Sequence, residues 1–311
     1  MSLLVTVPTD RLAENLGELP DGVELKVWDM KSAAPASRID IVVPPYMGSS
    51  RSLTALEDLE VGLVQSQSIG YDGVSDLLPA GVPYANAASV HEASTAELAV
   101  GLILAAQRQL PRFVDAQQRG EWSPVFADSL ADRRVLLVGF GGVGKAVAQR
   151  LAPFEVTLTA VASSARTEQV EGVGDVAVRG IDDLPELLQD AEIVVLNLPA
   201  TEQTHHVFDA EMIARMARGA LLVNVGRGPL IDTDALLNAL NAGAIRAASD
   251  VFEEEPIPAG HALWSAPNLL ISPHVGGAST AMNPRIARLI RRQIDRMLAG
   301  EQPVNVVIPA S

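Results

Sequence analysis

The sequence contains no cysteine, which excludes disulfide bonds, thiolate metal sites and thiol nucleophiles. Long apolar runs are missing as well. The longest, LAVGLILAA at 98–106, is far too short to cross a bilayer and is typical of a buried helix. The opening residues MSLLVTVPTD contain no basic segment followed by an apolar one, so we expect no secretory signal, no membrane partner and a cytoplasmic location.

Positive charge is scarce. Lysine and arginine together number 23 against 38 acidic residues, a net charge of −15, and only Lys26, Lys31 and Lys145 are lysines. This charge repels phosphate backbones, so we expect no nucleic-acid partner. An anionic ligand must meet a local cationic site, and arginine, with its rigid fork of donors, is the residue that supplies most of the charge for one.

Short apolar runs alternate with helical patterns, which predicts parallel sheets covered by helices. Hydrophobic residues make up 48% of the 311 residues, enough for well-buried cores. The first runs, LLVTV, ELKVW, DIVV and GLVQS, end near Ala88. A long helix is predicted next, in HEASTAELAVGLILAAQRQL, where Ser94 and Glu97 fit a capping box. Further runs follow: RVLLVGF, VTLTAV, EIVVLNL, ALLVNVG, IRAASDV and NLLISP.

These patterns predict two domains, with the long helix as the crossover between them. Residues 1–98 form the first domain and residues 99–286 the second. A last helix is predicted in PRIARLIRRQIDRMLAG, and the extended segment VNVVIPAS follows it. We expect this segment to return to the first domain, so that residues 287–311 complete it.

A glycine-rich turn in RRVLLVGFGGVGK, residues 133–145, lies between an apolar strand and a helical pattern. Gly139 permits the tight turn, Gly141 lets the backbone approach a pyrophosphate, and Gly144 allows close packing of helix on strand. Glycines at this spacing also occur in ordinary turns. The strand before and the helix after favour a doubly wound, Rossmann-type domain that binds a dinucleotide.

Three polar residues follow apolar strand patterns: Arg227 in LLVNVGRGPLID, Glu255 in ASDVFEEEP and His274 in LLISPHVGG. Ligands of open α/β sheets bind at the carboxyl ends of strands. An arginine there can clamp a carboxylate, a histidine can exchange a proton near neutral pH, and a neighbouring carboxylate can hold the imidazole protonated. Each could alone be a surface ion pair, a solvated acid or a loop histidine, but together they favour an active site.

Motifs along nearly the whole chain resemble the D-isomer-specific 2-hydroxyacid dehydrogenases. They are SQSIGYDGV, TAELAVGLIL, the glycine-rich turn, VVLNLPATEQTHHVF, VNVGRGPLID, ASDVFEEEP and SPHVGGAS, in the family's order. The resemblance implies a flavodoxin-like substrate domain beside the Rossmann-type domain. It also implies hydride transfer between a nicotinamide and a small 2-oxoacid or D-2-hydroxyacid, in a site between the two domains whose closure expels water.

By this resemblance, Arg227 binds the substrate carboxylate and polarises its carbonyl, His274 is the general acid or base, and Glu255 pairs with His274. The backbone of Ser68, Ile69 and Gly70 holds the carboxylate from the first domain. Asp250 contacts the nicotinamide carboxamide. The implied cofactor-binding positions are Gly139, Gly141, Gly142, Val143, Gly144, Ser163, Ser164, Arg166, Leu198, Pro199, Thr204, Val225, Gly226, Arg227, Asp250, His274 and Gly276.

One departure concerns the cofactor. The family's usual NAD-type enzyme has an acid at the end of the second strand that binds the ribose hydroxyls. Here Ala162, Ser163 and Ser164 stand in that segment, with Arg166 just beyond. Two hydroxyls and an arginine suit a 2′-phosphate, so NADP(H) is favoured. NAD(H) stays possible if Arg166 faces solvent.

Several alternatives stay open. Glyoxylate or hydroxypyruvate is the predicted substrate, whose side chain should contact Tyr46 and Met47. Phosphoglycerate dehydrogenase is one alternative function, and a nucleotide-sensing corepressor of the same fold is another. Formate dehydrogenases carry glutamine where Glu255 stands, which argues against that activity.

The remaining histidines and acids receive structural interpretations. We expect Glu253 and Glu254 to be solvated, and His91 and His261 to lie on the surface. His205 and His206 are read as a helix-entry pair and not a metal site, because no acid or cysteine offers a third ligand. No metal site is predicted anywhere in the chain.

An assembly is also predicted. The segment QRGEWSPVFADS resembles the arm through which family members form two-fold dimers, with Trp122 and Phe126 as apolar anchors. Alternatively, both aromatic side chains pack beneath their own loop in a monomer.

Overall fold

The computed structural model describes residues 2–48 and 50–310 and divides into two compact units, Met1–His91 with Gly277–Ser311 and Glu92–Gly276. The two-part first unit was predicted, but both boundaries fall earlier than residues 98 and 286. The helix predicted to cross between domains belongs wholly to the second unit, because it packs on the helix that follows the glycine-rich turn. Within the described residues, no helix is long and apolar enough to cross a membrane.

The first unit contains a mostly parallel sheet covered by helices. Strands and helices are numbered in chain order across both units. Its strands are β1 (Leu3–Val7), β2 (Val23–Val27), β3 (Arg38–Ile39), β4 (Ile41–Val42), β5 (Glu60–Val61), β6 (Val64–Gln65), β7 (Tyr84–Ala85) and β16 (Val306–Ile308); its helices are α1 (Asp10–Leu16), α8 (Met282–Leu298) and a 3₁₀ segment, Ser50–Leu56.

The main sheet of this unit has the order β16-β7-β6-β4-β1-β2 in the described residues. Its parallel strands, numbered among themselves, run 2-1-3-4-5, which is the flavodoxin-like order expected of the first domain. Strand β16 joins β7 antiparallel, so the predicted return of the C-terminal segment is confirmed. Val5 and Val7 of β1 pack with Ile286 and Ile290 of α8 in the core.

The second unit contains a larger sheet with helices on both faces. Its strands are β8 (Arg134–Val138), β9 (Thr157–Ala162), β10 (Arg166–Val170), β11 (Gly174–Gly180), β12 (Ile193–Leu196), β13 (Leu221–Asn224), β14 (Arg246–Ser249) and β15 (Leu269–Ile271); its helices are α2 (Glu92–Gln107), α3 (Leu110–Gln118), α4 (Gly142–Leu151), α5 (Leu184–Leu187), α6 (Ala210–Ala214) and α7 (Thr233–Asn241). Its 3₁₀ segments are Ala152–Phe154, Ile181–Asp183, Gly228–Leu230 and Ala262–Ser265.

The strand order of this sheet is β10-β11-β9-β8-β12-β13-β14-β15. Apart from the antiparallel edge strand β10, its parallel strands run 3-2-1-4-5-6-7, the doubly wound Rossmann order with one further strand. Val135 and Leu137 of β8 lie in one core cluster and Leu136 and Val138 in another. Alternate residues thus fill cores on opposite faces, which is why the central strands β8, β12 and β13 are almost wholly apolar.

Two predicted helix features are wrong. Helix α2 begins at Glu92, so Ser94 and Glu97 lie inside it and form no capping box at its start. The helical segment also does not continue through residue 110. Gln109 adopts a left-handed conformation (φ 55°) after the end of α2, and Pro111 stands in the first turn of α3.

Candidate active site

The carboxyl ends of five parallel strands line up in one row of the second sheet. Paired residues at this row are Val138, Leu196, Asn224, Ser249 and Ile271. The glycine-rich turn follows β8 directly, Arg227 follows β13, Asp250 follows β14, and His274 follows β15. This edge of the sheet therefore carries the predicted polar residues of the second unit, as their positions after apolar strands indicated.

The glycine-rich turn has the shape that a dinucleotide requires. Gly139 has φ 101°, and a Cβ atom added at Gly144 would lie 2.3 Å from the Gly139 carbonyl oxygen, so helix α4 packs directly on the turn. A Cβ at Gly141, by contrast, meets no atom within 4 Å. Space is thus open at the N-terminus of α4, where backbone N–H groups attract phosphate. The residues present fit a bound dinucleotide.

His274 and Glu255 form an ion pair. His274 Nδ1 lies 2.6 Å from Glu255 Oε2, and the side chains are 49% and 33% exposed. The other carboxylate oxygen, Oε1, accepts a hydrogen bond from the Phe252 N–H at 2.8 Å. Because Nδ1 faces the carboxylate, Nε2 is the nitrogen of His274 that remains for proton exchange.

This pairing shifts the pKa values of both groups. The hydrogen bond to Glu255 raises the pKa of His274 above its usual value; burial and the charge of Arg227 oppose this, while the charges of Glu255 and Asp250 add to it. For Glu255, burial acts to raise the pKa, but the hydrogen bonds from His274 and Phe252 and the charges of His274 and Arg227 outweigh it and lower the pKa. Glu255 is therefore ionised, and it holds His274 protonated to higher pH.

Arg227 is positioned by a polar turn after β13. The buried side chain of Asn224 accepts a hydrogen bond from the Gly226 N–H at 3.0 Å and donates one to the Arg227 carbonyl at 2.9 Å. The guanidinium Nη1 donates to the Gly226 carbonyl at 2.7 Å. Asn224 therefore fixes the backbone from which the side chain of Arg227 extends, a role that the sequence did not indicate.

Asp250 holds the loop that carries His274. Its carboxylate accepts hydrogen bonds from Ser272 Oγ at 2.5 Å, the Val275 N–H at 2.9 Å and the Gly276 N–H at 2.8 Å. Its carbonyl accepts one from the His274 N–H at 2.7 Å. Asp250 is 2% exposed, so this carboxylate is used within the protein. A contact with nicotinamide stays a prediction.

Other predicted cofactor positions surround the same edge. Leu198 and Pro199 follow β12, and Thr204 Oγ1 donates a hydrogen bond to the Pro199 carbonyl at 2.7 Å. Ser163 and Ser164 follow β9 and are exposed. Arg166 opens the edge strand β10 and donates to the Ser164 carbonyl at 3.2 Å. The side chain of Arg166 is therefore held by a protein contact and does not extend only into solvent.

Glu253 is not simply solvated, contrary to the sequence prediction. Its Oε1 lies 2.6 Å from His206 Nε2, and its Oε2 accepts hydrogen bonds from the N–H and hydroxyl of Thr233. His205 stacks on His206 with ring centroids 3.9 Å apart. Ligand atoms of both histidines and Glu253 lie within 4.8 Å of one another, so the argument that no acid approaches this pair is wrong. Glu254 is exposed, as expected.

His91, expected on the surface, is 4% exposed in the first unit. Its Nε2 lies 2.6 Å from the Gln67 carbonyl, its Nδ1 lies 3.2 Å from the Gly277 carbonyl, and its ring stacks on Tyr46 with centroids 5.5 Å apart. The sequence around His91 gave no indication that this side chain is buried. His91 thus supports the segment that precedes Ser68. His261 is half-buried and accepts a hydrogen bond from the Leu263 N–H.

The segment predicted to contact the substrate, residues 68–70, forms hydrogen bonds within the first unit. The Ser68 N–H donates to Ser66 Oγ at 3.0 Å, and the Ile69 carbonyl accepts a hydrogen bond from Asn86 Nδ2 at 2.9 Å. Ser68, Ile69 and Gly70 are all half-buried. Met47 is 64% exposed.

Comparisons with known proteins show which family the chain resembles. The family model for the D-isomer specific 2-hydroxyacid dehydrogenase NAD binding domain matches residues 100–276. A glyoxylate reductase of Korarchaeum cryptofilum is 31% identical over 310 residues, which cover 94% of this chain and 92% of that protein. A glyoxylate reductase of Thermofilum pendens is 33% identical over 254 residues, covering 79% and 74% respectively. A D-isomer specific 2-hydroxyacid dehydrogenase from Xanthobacter autotrophicus, solved in complex with NADPH and MES, is 29% identical with a TM-score of 0.81 and coverage of 99% and 98%.

Proposed function

Because this chain belongs to the D-isomer-specific 2-hydroxyacid dehydrogenase family, we propose that it reduces a small 2-oxoacid to the D-2-hydroxyacid with a nicotinamide dinucleotide. Glyoxylate or hydroxypyruvate is the proposed substrate. The single observation that carries this proposal is the His274–Glu255 pair, at 2.6 Å, on the sheet edge that also carries Arg227. Glyoxylate reductase is also the name of both relatives cited above.

The chain's own residues divide the acid–base work. When bound, the dinucleotide supplies the hydride for reduction or accepts it in the reverse direction. His274 Nε2 donates a proton to the substrate oxygen as that oxygen gains negative charge, and Glu255 stabilises the imidazolium before transfer. Arg227 clamps the substrate carboxylate and attracts the developing alkoxide. Asp250 and Asn224 keep His274 and Arg227 in position.

We further propose that the first unit contributes backbone contacts to the substrate carboxylate. Of Ser68, Ile69 and Gly70, the Ser68 N–H already donates to Ser66 Oγ. The proposal therefore depends on the amides of Ile69 and Gly70.

We propose NADP(H) as the favoured cofactor and NAD(H) as a second one. Ala162 ends β9 without a carboxylate, and Ser163, Ser164 and Arg166 follow it. An arginine and hydroxyl groups suit the 2′-phosphate that distinguishes NADP from NAD. The NADPH bound to the Xanthobacter relative supports this preference.

A homodimer is also proposed. Trp122 and Phe126 are 97% and 105% exposed, in a segment without regular secondary structure between α3 and β8. Two large aromatic side chains in full contact with water favour an apolar contact with a second copy over packing beneath their own loop.

The decisive experiment is a screen of 2-oxoacids with NADPH and NADH, following absorbance of the reduced cofactor. We expect glyoxylate or hydroxypyruvate to be reduced, and His274→Ala to remove the activity. If the wild type binds the dinucleotide but reduces no 2-oxoacid, the proposal is wrong, and the alternative of a nucleotide-sensing interaction protein gains support.

A further inference from the structure

Glu168 binds two cations beside the glycine-rich turn. Arg166 and Glu168 are alternate residues of the edge strand β10, so their side chains leave the same face. Glu168 Oε2 accepts a hydrogen bond from Arg166 Nε at 3.0 Å and lies 2.9 Å from Arg166 Nη2. Its other oxygen, Oε1, pairs with Lys145 Nζ of helix α4. One carboxylate group therefore contacts both cations, and the three side chains together keep a net charge of +1.

The guanidinium of Arg166 is fixed by further contacts. Its Nη1 donates to the Ser164 carbonyl at 3.2 Å and its Nη2 to the Phe140 carbonyl at 3.4 Å. Phe140 stands between Gly139 and Gly141, so Arg166 bridges the end of β9 and the glycine-rich turn. These are the donors that a phosphate at this corner would use, and Glu168 already occupies the Nε side of the fork.

Glu168 is ionised in this setting. The hydrogen bond from Lys145 lowers the pKa of Glu168 most. Burial opposes this, but the hydrogen bond from Arg166 and the charges of Lys145 and Arg166 also lower the pKa, and the net shift is downward. A 2′-phosphate that binds here therefore lies close to the negative charge of Glu168. It must compete with that carboxylate for the hydrogen bonds of Arg166 and Lys145. A 2′-hydroxyl meets a hydrogen-bond acceptor, the role that an acid at the end of the second strand performs in NAD-binding sites.

We propose that Glu168 is a specificity-determining residue for the dinucleotide: it competes with a 2′-phosphate for Arg166 and Lys145 and accepts a hydrogen bond from a 2′-hydroxyl. This inference rests on the proposed function, because it concerns the cofactor of that reaction. Glu168 supplies from the neighbouring hairpin the carboxylate that Ala162 does not. The chain thus accepts NAD(H) alongside NADP(H), and Glu168 limits its preference for the phosphorylated form.

The test measures binding of NADP⁺ and NAD⁺ by calorimetry, without any oxoacid. Glu168→Gln keeps the size of the side chain and one acceptor oxygen but removes the charge. We expect it to raise affinity for NADP⁺ roughly tenfold and to lower affinity for NAD⁺ by about twofold to fivefold, because a neutral amide oxygen accepts a weaker hydrogen bond from the 2′-hydroxyl than a carboxylate does. Glu171→Gln is the matched control, because Glu171 is an exposed acid in the turn of the same hairpin; its effect should stay within about twofold for both dinucleotides.

Arg166→Ala separates competition from general electrostatics. Alone, it should weaken NADP⁺ roughly 10- to 150-fold and NAD⁺ far less, since a charge-assisted phosphate contact is lost. In that background, Glu168→Gln should raise NADP⁺ affinity by less than it does in the wild type, because Arg166 is no longer there to be released.

The inference is overturned if Glu168→Gln leaves the ratio of NADP⁺ to NAD⁺ affinity unchanged or lowers it, or if Glu171→Gln changes the ratio equally. Because no oxoacid is present, the two proposals fail separately. Wild type that binds both dinucleotides but reduces no 2-oxoacid contradicts the proposed function alone. Wild type that turns over but shows an unchanged ratio in Glu168→Gln contradicts the inference alone, and wild type that binds neither dinucleotide contradicts both.

Discussion

The carbonyl oxygen of Phe252 lies 1.9 Å from the point that a Cβ atom at Gly228 would occupy. The turn that follows Arg227 thus lies against the backbone of the segment that leads to Glu255. Only a residue without a side chain allows this approach. Arg227 and Glu255 of the proposed active site are thus held by two backbone segments in direct contact. A methyl group at Gly228 would push these two segments apart.

Replacing Gly228 with alanine should therefore damage both stability and catalysis. Overpacking of this kind costs about 1–3 kcal/mol of unfolding free energy, because the backbone must shift. We expect a lower urea midpoint and a clear fall in kcat/KM for 2-oxoacid reduction. Gly101→Ala is the control: Gly101 lies exposed in α2, where an added Cβ meets nothing within 4 Å, and the change should be neutral or stabilising. Equal behaviour of the two variants would contradict the close approach.

His274→Ala should lower kcat by about 10² to 10⁴, the usual contribution of a positioned proton donor. Dinucleotide affinity should change little, because the proton-transfer group is removed while the glycine-rich turn is intact. Steady-state kinetics and a binding titration check the two parts. His261→Ala removes a half-buried histidine that precedes and caps a 3₁₀ segment of the same unit, and it should leave kcat unchanged. Undiminished turnover in His274→Ala would require a different proton donor.

Glu255→Gln should move the pH profile of reduction toward lower pH. Reduction needs protonated His274, so kcat/KM falls as pH rises through the pKa of that imidazole. The Glu255 carboxylate raises this pKa, and removing the charge lowers it, so the alkaline limb must move down in pH. Glu254→Gln removes the same charge from the exposed neighbouring residue and should leave the limb in place. An unmoved limb in Glu255→Gln would show that the pair is not coupled.

Asp250→Asn should unfold more easily than the wild type by about 1–3 kcal/mol, because one amide group cannot accept every hydrogen bond that this buried carboxylate accepts from Ser272, Val275 and Gly276. Turnover should fall along with stability, since the same loop carries His274. Chemical denaturation and kinetics measure both effects, with exposed Asp175→Asn as the control. Unchanged stability with weaker cofactor binding would instead indicate that Asp250 acts mainly on the nicotinamide.

Replacing Trp122 and Phe126 together with glutamate should convert the proposed dimer to a monomer. Light scattering of the wild type at micromolar concentration should give twice the 32.8 kDa of one chain, and the double variant that of one chain. Trp264→Glu changes an aromatic residue that is 55% exposed elsewhere and should remain dimeric. A monomeric wild type rules the dimer out, and a dimeric double variant places the contact elsewhere.

The order of elements and the edge that carries the polar residues could be predicted because both follow from short-range patterns. Apolar runs define the strands, and parallel strands end on one side, so Arg227 and His274 could be placed together without any coordinates. The prediction that His274 contacts Glu255, a contact of 2.6 Å in the structure, depended on the family resemblance, because many residues separate the two in the sequence.

The missed features depend on long-range contacts or on an unusual local conformation. Glu253 reaches His206 and Thr233 across two loops, and nothing in EEEP distinguishes it from its neighbours. Gln109 ends a helix with a positive φ in a segment whose composition favours helix throughout. Glu168 had a detectable signal, its alternation with Arg166 in a short polar segment, but the sequence did not predict the hairpin of β10 and β11 that places the two side chains on one face.

Strand β16 and helix α8 have a consequence for how the chain folds during synthesis. Gln293 of α8 donates to Gln65 Oε1, and β16 pairs with β7, so the first unit needs residues from both ends of the sequence. The second unit is one continuous segment whose two core clusters lie within it. During synthesis on the ribosome, the second unit can therefore fold before the first. The N-terminal strands cannot complete their sheet until α8 and β16 have been synthesised.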